Sequence, residues 1–383
     1  MEIQFWYSDS VPISGIQFTI EKLYNAILFK NVDTDTIDST KLNFLVFKWK
    51  ISPTHVHSIE FIALLYKLQK QNFYFIADYS HEAHYNTDGL SLLFLNELKS
   101  NGIDINRLIL ANNNSAKVGL HQVKYGNFVL NTYFFPYFYL HTYDTLKNDI
   151  GNVKANNNIT PDKDFLCLNR RMYSHKYQII EELFNRELLN DTRFSWVDNK
   201  DTKNFLNKRL ITYLNIDVNN FKAIQLENDV MYGSELSTHE EYLYTINPDW
   251  YYKSKVNIIT ETFFNEFEIH ITEKTWKAIY LGVPFVISAS KGHLKTLRDM
   301  GFKTFNSVIN EDYDEMNSKG KIKKIIDSAE ELSNIYNTQE VLDICRFNQE
   351  LYSNLERRRQ ICTEVFLNEL RAIKNPIAPK TLI

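Results

Sequence analysis

The sequence predicts an α/β fold of two open, largely parallel sheet domains facing a central cleft, followed by C-terminal helices. Three observations predict it. Short apolar runs alternate with amphipathic stretches through the first 150 residues, as they do where strands are joined by crossover helices. A polar, asparagine-rich break follows, and the alternation then starts again. The chain's 383 residues also exceed the size at which a single hydrophobic core stops growing, about 250–300 residues.

The elements read as follows. Glu2–Tyr7 is a strand, and Gln17–Lys30 a helix with Ile20, Leu23, Ala26 and Ile27 on one stripe. Asn43–Trp49 is a strand and Val56–Gln69 a helix. Phe73–Ala77 is a buried strand that runs into a polar loop at Asp78. Gly89–Lys99 is a helix and Arg107–Ala111 a strand. Between Lys147 and Lys163 the turn-formers Asn148-Asp149-Ile150-Gly151-Asn152 and Asn156-Asn157-Asn158-Ile159-Thr160-Pro161 mark the linker. Beyond it come the strand Phe165–Leu168, the helix Ser174–Leu188 and the strands Phe194–Val197 and Val256–Thr260. The helix Thr272–Leu281, the strand Pro284–Ser288 and the helix His293–Met300 complete the second sheet. From about Ser328 to Ala372 the chain reads as helical. The domains are therefore expected at 1–155 and 156–340, with C-terminal helices at 341–375 packing across them and a tail at 376–383.

Composition narrows the function. A net charge of −4 with no long Lys/Arg block argues against duplex DNA as the main partner, because such proteins usually carry a basic face. Cys167, Cys345 and Cys362 match no zinc spacing and, being three, make no disulfide framework. The start, Met1-Glu2-Ile3-Gln4-Phe5-Trp6, has no basic n-region, and no apolar run approaches the roughly 20 residues of a membrane span. A cytoplasmic protein without a transmembrane segment is expected.

The most informative stretch is 256–305. A buried strand leads to Glu261. Thr272 is placed as an N-cap with Glu273 and Lys274 in the first turn, Gly282 closes the helix and Pro284 blocks its continuation. A helix amino end aimed at a cleft presents free N–H groups and a positive dipole, which suits a diphosphate. Lys274 adds a mobile charge, and Glu273 suits the two hydroxyls of a ribose. Trp276 and Ile279 are expected to face the sheet. The same pattern also fits a plain capped helix with solvated Glu273 and Lys274.

Glu261, then Ile271-Thr272-Glu273-Lys274-Thr275-Trp276-Lys277-Ala278 and Gly282-Val283-Pro284, resembles the donor-binding motif of the α-1,3-fucosyltransferase family. Phe165-Leu166-Cys167-Leu168-Asn169-Arg170-Arg171, with Lys176 beyond, is similar to the family's strand–Ser-Asn–Arg segment, which contacts the phosphates. Ile271–Lys274 is similar, too, to helix starts in phage and bacterial transferases. The resemblance covers roughly residues 164–305. Thr262 stands where the family has Asn, and the Glu261-to-Glu273 spacing is longer here. The resemblance implies a GT-B fold of two Rossmann-like domains and a nucleotide-sugar donor, such as a GDP- or UDP-sugar. It implies Asn169, Arg170, Arg171, Lys176, Glu261, Thr272, Glu273 and Lys274 as donor-binding residues. Arg170 and Arg171 read equally as a surface pair that ends the strand; His175 is a weaker candidate.

The N-terminal domain is then expected to hold the acceptor, whether glycan, lipid-linked or protein, and the general base. Asp78-Tyr79-Ser80-His81-Glu82-Ala83-His84 supplies the candidates: Glu82 or Asp78 as the base, with His81 or His84 as orienting partner. Its bland reading is a polar loop with a helix cap. Asp33-Thr34-Asp35 reads as a turn because no apolar strand precedes it, so no obligatory metal is expected. The spacing of Glu266 and Glu273 narrowly misses the Glu-x7-Glu of many retaining transferases, which favours inversion. Two other readings share these features: a phage-type DNA-base glucosyltransferase, with nucleic acid as partner, and a non-catalytic nucleotide-sugar or glycan-binding protein.

Overall fold

The computed structural model of the chain describes residues 3–7, 21, 29–32, 37, 41–48, 59–71, 73–79, 89–112, 120–125, 127–134, 137–150, 159–169, 173–196, 246–264, 269–317, 320–360 and 364–372. It is a mixed α/β protein with two parallel-stranded sheets. Residues 1–140 and 355–383 form one compact unit and residues 141–354 the other.

The first unit contains β1 (Ile3–Tyr7), β2 (Phe29–Asn31), β3 (Leu42–Lys48), α1 (Ile59–Gln69), β4 (Phe73–Tyr79), α2 (Gly89–Ser100), β5 (Leu108–Asn112), β6 (Leu120–Tyr125) and β7 (Phe128–Phe134). Its sheet runs β2-β1-β3-β4-β5-β7-β6, parallel throughout except for β6 against β7. Strands covered on both faces read as unbroken apolar runs, and Phe44-Leu45-Val46-Phe47 is buried along its whole length. The buried Asn43 just before this stretch is satisfied: its Oδ1 accepts from Trp6 Nε1 at 2.9 Å. Phe47 meets Phe61 of α1 edge to face at 5.0 Å.

Several expectations are corrected here. Residues 29 and 30, placed at the end of a helix, belong to strand β2, where Phe29 pairs with Phe5. The strand at Phe73 does not stop at Ala77. It carries on through Asp78 and Tyr79, because Asp78 still pairs with Lys48 on one side and Ala111 on the other. The antiparallel β6–β7 pair was not read from the sequence, although the Gly126-Asn127 step between the strands is a hairpin signal. The linker expected from Lys147 begins instead inside a helix, α3 (Tyr137–Ile150).

The second unit contains β8 (Lys163–Asn169), α4 (Ser174–Asn185), β9 (Thr192–Trp196), α5 (Pro248–Tyr252), β10 (Ser254–Thr260), α6 (Glu273–Leu281), β11 (Phe285–Ser288), α7 (His293–Asp299), α8 (Lys321–Ile335) and α9 (Gln339–Ser353). Its four strands lie in the order β11-β10-β8-β9, all parallel. α6 starts at the N-cap Thr272 and stops at Gly282, which takes the left-handed conformation at φ 64°. A β-carbon there would also come within 3.3 Å of the Gln349 side chain, which donates to the Tyr280 carbonyl at 2.7 Å. Trp276 departs from expectation. Its ring stacks on Tyr352 of α9 at 5.4 Å and packs on Phe302, so it fastens α6 to a later helix.

The C-terminal helical region is divided into separate helices, and it starts earlier than the sequence reading placed it, at Lys321. After α9, the chain forms α10 (Leu355–Arg359) and α11 (Val365–Ala372), which belong to the first unit. Phe366 of α11 is fully buried. It stacks on Phe5 and lies 4.7 Å from Tyr133. No described helix is long and apolar enough to cross a membrane.

Truncating Phe366 to Ala should therefore destabilise the first unit by about 3–5 kcal/mol, the usual loss for a buried aromatic ring. Urea unfolding followed by far-UV circular dichroism would show the lowered midpoint. An unchanged midpoint would mean that α11 does not hold the β1 face.

Candidate functional site at the carboxyl edge of the four-stranded sheet

In open parallel sheets ligands gather beyond the carboxyl ends of the strands. In the second unit that edge carries Asn169 at the end of β8, Glu261 just past β10 and Ser288 at the end of β11. Helices α4, α6 and α7 begin from the same edge. The edge is stitched together by polar groups. Glu261 N–H donates to the Ser288 carbonyl at 3.0 Å. Thr260 Oγ1 donates to Asn169 Oδ1 at 2.7 Å, Asn169 Nδ2 donates to Cys167 Sγ, and Asn169 N–H donates to Ser195 Oγ. The Asn169 side chain is thus engaged in joining β8 to β10.

Glu261 organises the amino end of α6. Its fully buried carboxylate accepts from Thr272 N–H at 3.1 Å, Thr272 Oγ1 at 2.5 Å and Thr275 Oγ1 at 2.7 Å. Lys274 Nζ lies 3.6 Å away, donates to Thr272 Oγ1 at 2.9 Å and stands 3.4 Å from Glu273 Oε1. Burial alone would raise the carboxyl pKa. The Lys274 ammonium, foremost, and the two threonine hydroxyls outweigh it and hold the value at about 2. The helix dipole also favours an anion here. The protein's own carboxylate thus takes the Thr272 N–H at the helix end, and Lys274 N–H points to Thr272 Oγ1.

A second set of groups arrives on α4. His175 Nε2 lies 2.9 Å from the Glu261 carbonyl. A carbonyl only accepts, so Nε2 carries the proton. Burial, then the neighbouring Lys176 charge, lower this imidazole to about 3, which leaves it neutral. Its ring is stacked between Phe264 at 5.1 Å and Tyr173 at 6.2 Å. Lys176 is only 2% exposed, and its ammonium has no hydrogen bond or ion pair among the described residues. It lies over the Tyr173 ring, 5.4 Å from the centroid. Burial and then the Lys274 charge lower its pKa to about 7, against the opposing pull of Glu261 and Glu273.

The β11 side brings groups that the sequence reading passed over. Lys321 donates to the Ala289 carbonyl at 2.6 Å and sits over Phe264. Burial lowers it to about 8, with Asp314 and Glu315 pulling the other way. Ser288, Ser290 and His293 are buried around the same connection. The signal for the last three was a strand that ends in small polar residues. Lys321, in a lysine-rich stretch, gave no sign of being buried.

The structure thus brings Asn169, Lys176, Glu261, Thr272, Glu273 and Lys274 to one edge. Arg170 and Arg171 lie outside the described residues, as do Glu82, His81, His84, Glu266 and the Asp33–Asp35 motif. Asp78 lies in the first unit, fully buried within β4. In comparisons with known proteins, no family model matches the chain and no curated protein matches it either.

Two outcomes follow from the electrostatics. Glu261 has a folded pKa of about 2 against an ordinary 4.5, so it contributes on the order of 3 kcal/mol above pH 4.5, lost as pH falls from there toward 2. Glu261→Gln should remove that slope and destabilise the protein at pH 7 by about 3–5 kcal/mol, since Lys274 loses its buried partner; urea midpoints across pH would show both. Lys176 behaves oppositely. Its folded pKa of about 7 lies below the ordinary 10.5, so the unfolded chain holds the extra proton and stability rises with pH between these values. Lys176→Met should therefore raise the melting temperature at pH 7, and a lowered one would contradict an uncompensated buried ammonium.

Proposed function

We propose that the protein is a glycosyltransferase that takes a nucleoside-diphosphate sugar, with the diphosphate held by Lys176 and Lys274 at the carboxyl edge of the four-stranded sheet. The observation that carries this reading is Lys176, a buried lysine whose amine makes no hydrogen bond or ion pair among the described residues. A buried charge is costly unless paired, and Lys274 nearby adds to the positive field. An anion bound at Lys176 offsets that cost, and the Lys274 charge adds to its attraction. Glu273, with its carboxylate 3.4 Å from Lys274 Nζ, is suited to accept from the ribose hydroxyls. Glu261 is assigned the task of setting the helix end and Lys274, rather than touching donor. Transfer itself is supported by the resemblance of 261–284 to the fucosyltransferase donor motif.

In this reaction the acceptor hydroxyl attacks the anomeric carbon. The bond from that carbon to the diphosphate oxygen breaks, and the hydroxyl proton passes to a carboxylate. The departing diphosphate is stabilised by Lys176 and Lys274. The two sheet units serve as the two lobes of a GT-B enzyme, with the acceptor on the seven-stranded one. Asp78 is sealed within β4, so Glu82 is the carboxylate assigned as base.

A thermal-shift screen of UDP, GDP and their sugars tests the reading. At a hundred times Kd, a ligand of the folded state adds about 2.7 kcal/mol of stability. Lys176→Ala and Lys274→Ala should each abolish the response, and Glu273→Ala should weaken it. A parent protein that responds to none of these nucleotides, or lysine variants that respond like the parent, would refute the site. Glu82→Gln should slow turnover of the stabilising sugar nucleotide by at least about 100-fold while leaving its Kd unchanged.

A further inference from the structure

Three polar side chains at the end of β11 lack hydrogen-bond partners among the described residues: Ser288 Oγ, Ser290 Oγ and both ring nitrogens of His293. Each side chain is at most 1% exposed. Buried polar groups are nearly always paired, and here three such side chains fall within a single strand-to-helix connection. Ser288 ends β11, Ser290 lies two residues on, and His293 opens α7. The connection lies beside the α6 site. Ser288 pairs with Thr260 in the ladder and its carbonyl receives Glu261 N–H. The His293 ring in turn feels the Glu261 charge.

The surroundings determine what such a group of side chains can accept. Lys321 is bound to the Ala289 carbonyl and holds the connection in place. Asp314 takes Leu294 N–H and Lys295 N–H, so the start of α7 is already capped by a carboxylate. The charges that bear on the His293 ring are the Glu261 and Asp314 carboxylates and the Lys321 ammonium, so the connection offers a phosphate no net positive charge. Burial lowers the His293 pKa and keeps the ring neutral, so it offers one donor and one acceptor nitrogen. Each serine hydroxyl can likewise donate or accept. The matching chemistry is a neutral group with several hydroxyls, each of which also donates and accepts.

We infer that the β11–α7 connection is the subsite for the glycosyl group of the donor, with the sugar hydroxyls paired to Ser288, Ser290 and His293. This rests on the donor reading above: the lysines hold the diphosphate, and the connection next to Glu261 takes the sugar attached to it. A site built to hydrogen-bond hydroxyls rejects a ligand that lacks them, because its buried polar groups then stay unpaired.

The test is calorimetric titration of the parent and of Ser288→Ala/Ser290→Ala with UDP, UDP-glucose, GDP and GDP-fucose. The parent should bind one of the sugar nucleotides more tightly than the matching diphosphate. The double variant should lose at least about tenfold of that gain, bind the diphosphate as before, and melt no lower than the parent. A purely structural role predicts a lower melting temperature and an unchanged sugar gain. If the variant keeps the gain, or the parent shows none, the subsite is overturned while the diphosphate site stands. If the parent binds none of the four, the donor reading itself fails and the subsite with it. Should the double variant not fold, Ser290→Ala and His293→Asn, measured in the same way, decide between these outcomes.

Discussion

The carboxyl edge of the second sheet depends on a single buried carboxylate. Glu261 takes a backbone N–H and two hydroxyls through its side chain. Its carbonyl receives the His175 ring, and its N–H reaches β11. One residue just past β10 thereby connects β11, α4 and α6. Taking a carboxylate out of water is costly, and only dense hydrogen bonding with a nearby cation offsets it. Three donors and Lys274 meet that demand, and the low pKa of the group is their consequence.

This arrangement relocates the positive charge available to a ligand. A helix amino end is an anion site, and here the anion comes from within the chain. Lys274 is drawn between two carboxylates. The imidazoles at the edge add no charge, since burial holds both His175 and His293 below their ordinary range. What is left is Lys176 on α4, buried and without a hydrogen bond or ion pair among the described residues, with Lys321 tied to a carbonyl on the far side. At β11 the side chains without partners among the described residues are two hydroxyls and an imidazole, while the charged Lys321 and Asp314 are engaged by backbone groups.

The likeness to fucosyltransferase donor motifs takes a different aspect in three dimensions. Of the residues that carry it, Glu261 and Thr272 are bonded to each other, and Asn169 of the neighbouring segment is bonded across the sheet. In this chain Glu261 and Thr272 shape a helix end. Glu273, Lys274 and Lys176 are the members whose chemistry still faces a ligand under the proposed function.

Local sequence was enough to determine the strand cores, the Thr272 cap and the Gly282 stop. Each depends on a few adjacent residues: an unbroken apolar run, a hydroxyl before a helix, a residue tolerant of positive φ. Asp78 and the Phe29–Asn31 strand were misread because neighbouring strands extend a ladder past the point where polarity suggests a loop. Only the tertiary structure decided which charges are compensated. Glu261 and Thr272 are eleven residues apart, and Ala289 and Lys321 thirty-two. Whether a lysine is solvated, paired or buried alone depends on which distant backbone closes over it, and no periodicity along the chain encodes that enclosure.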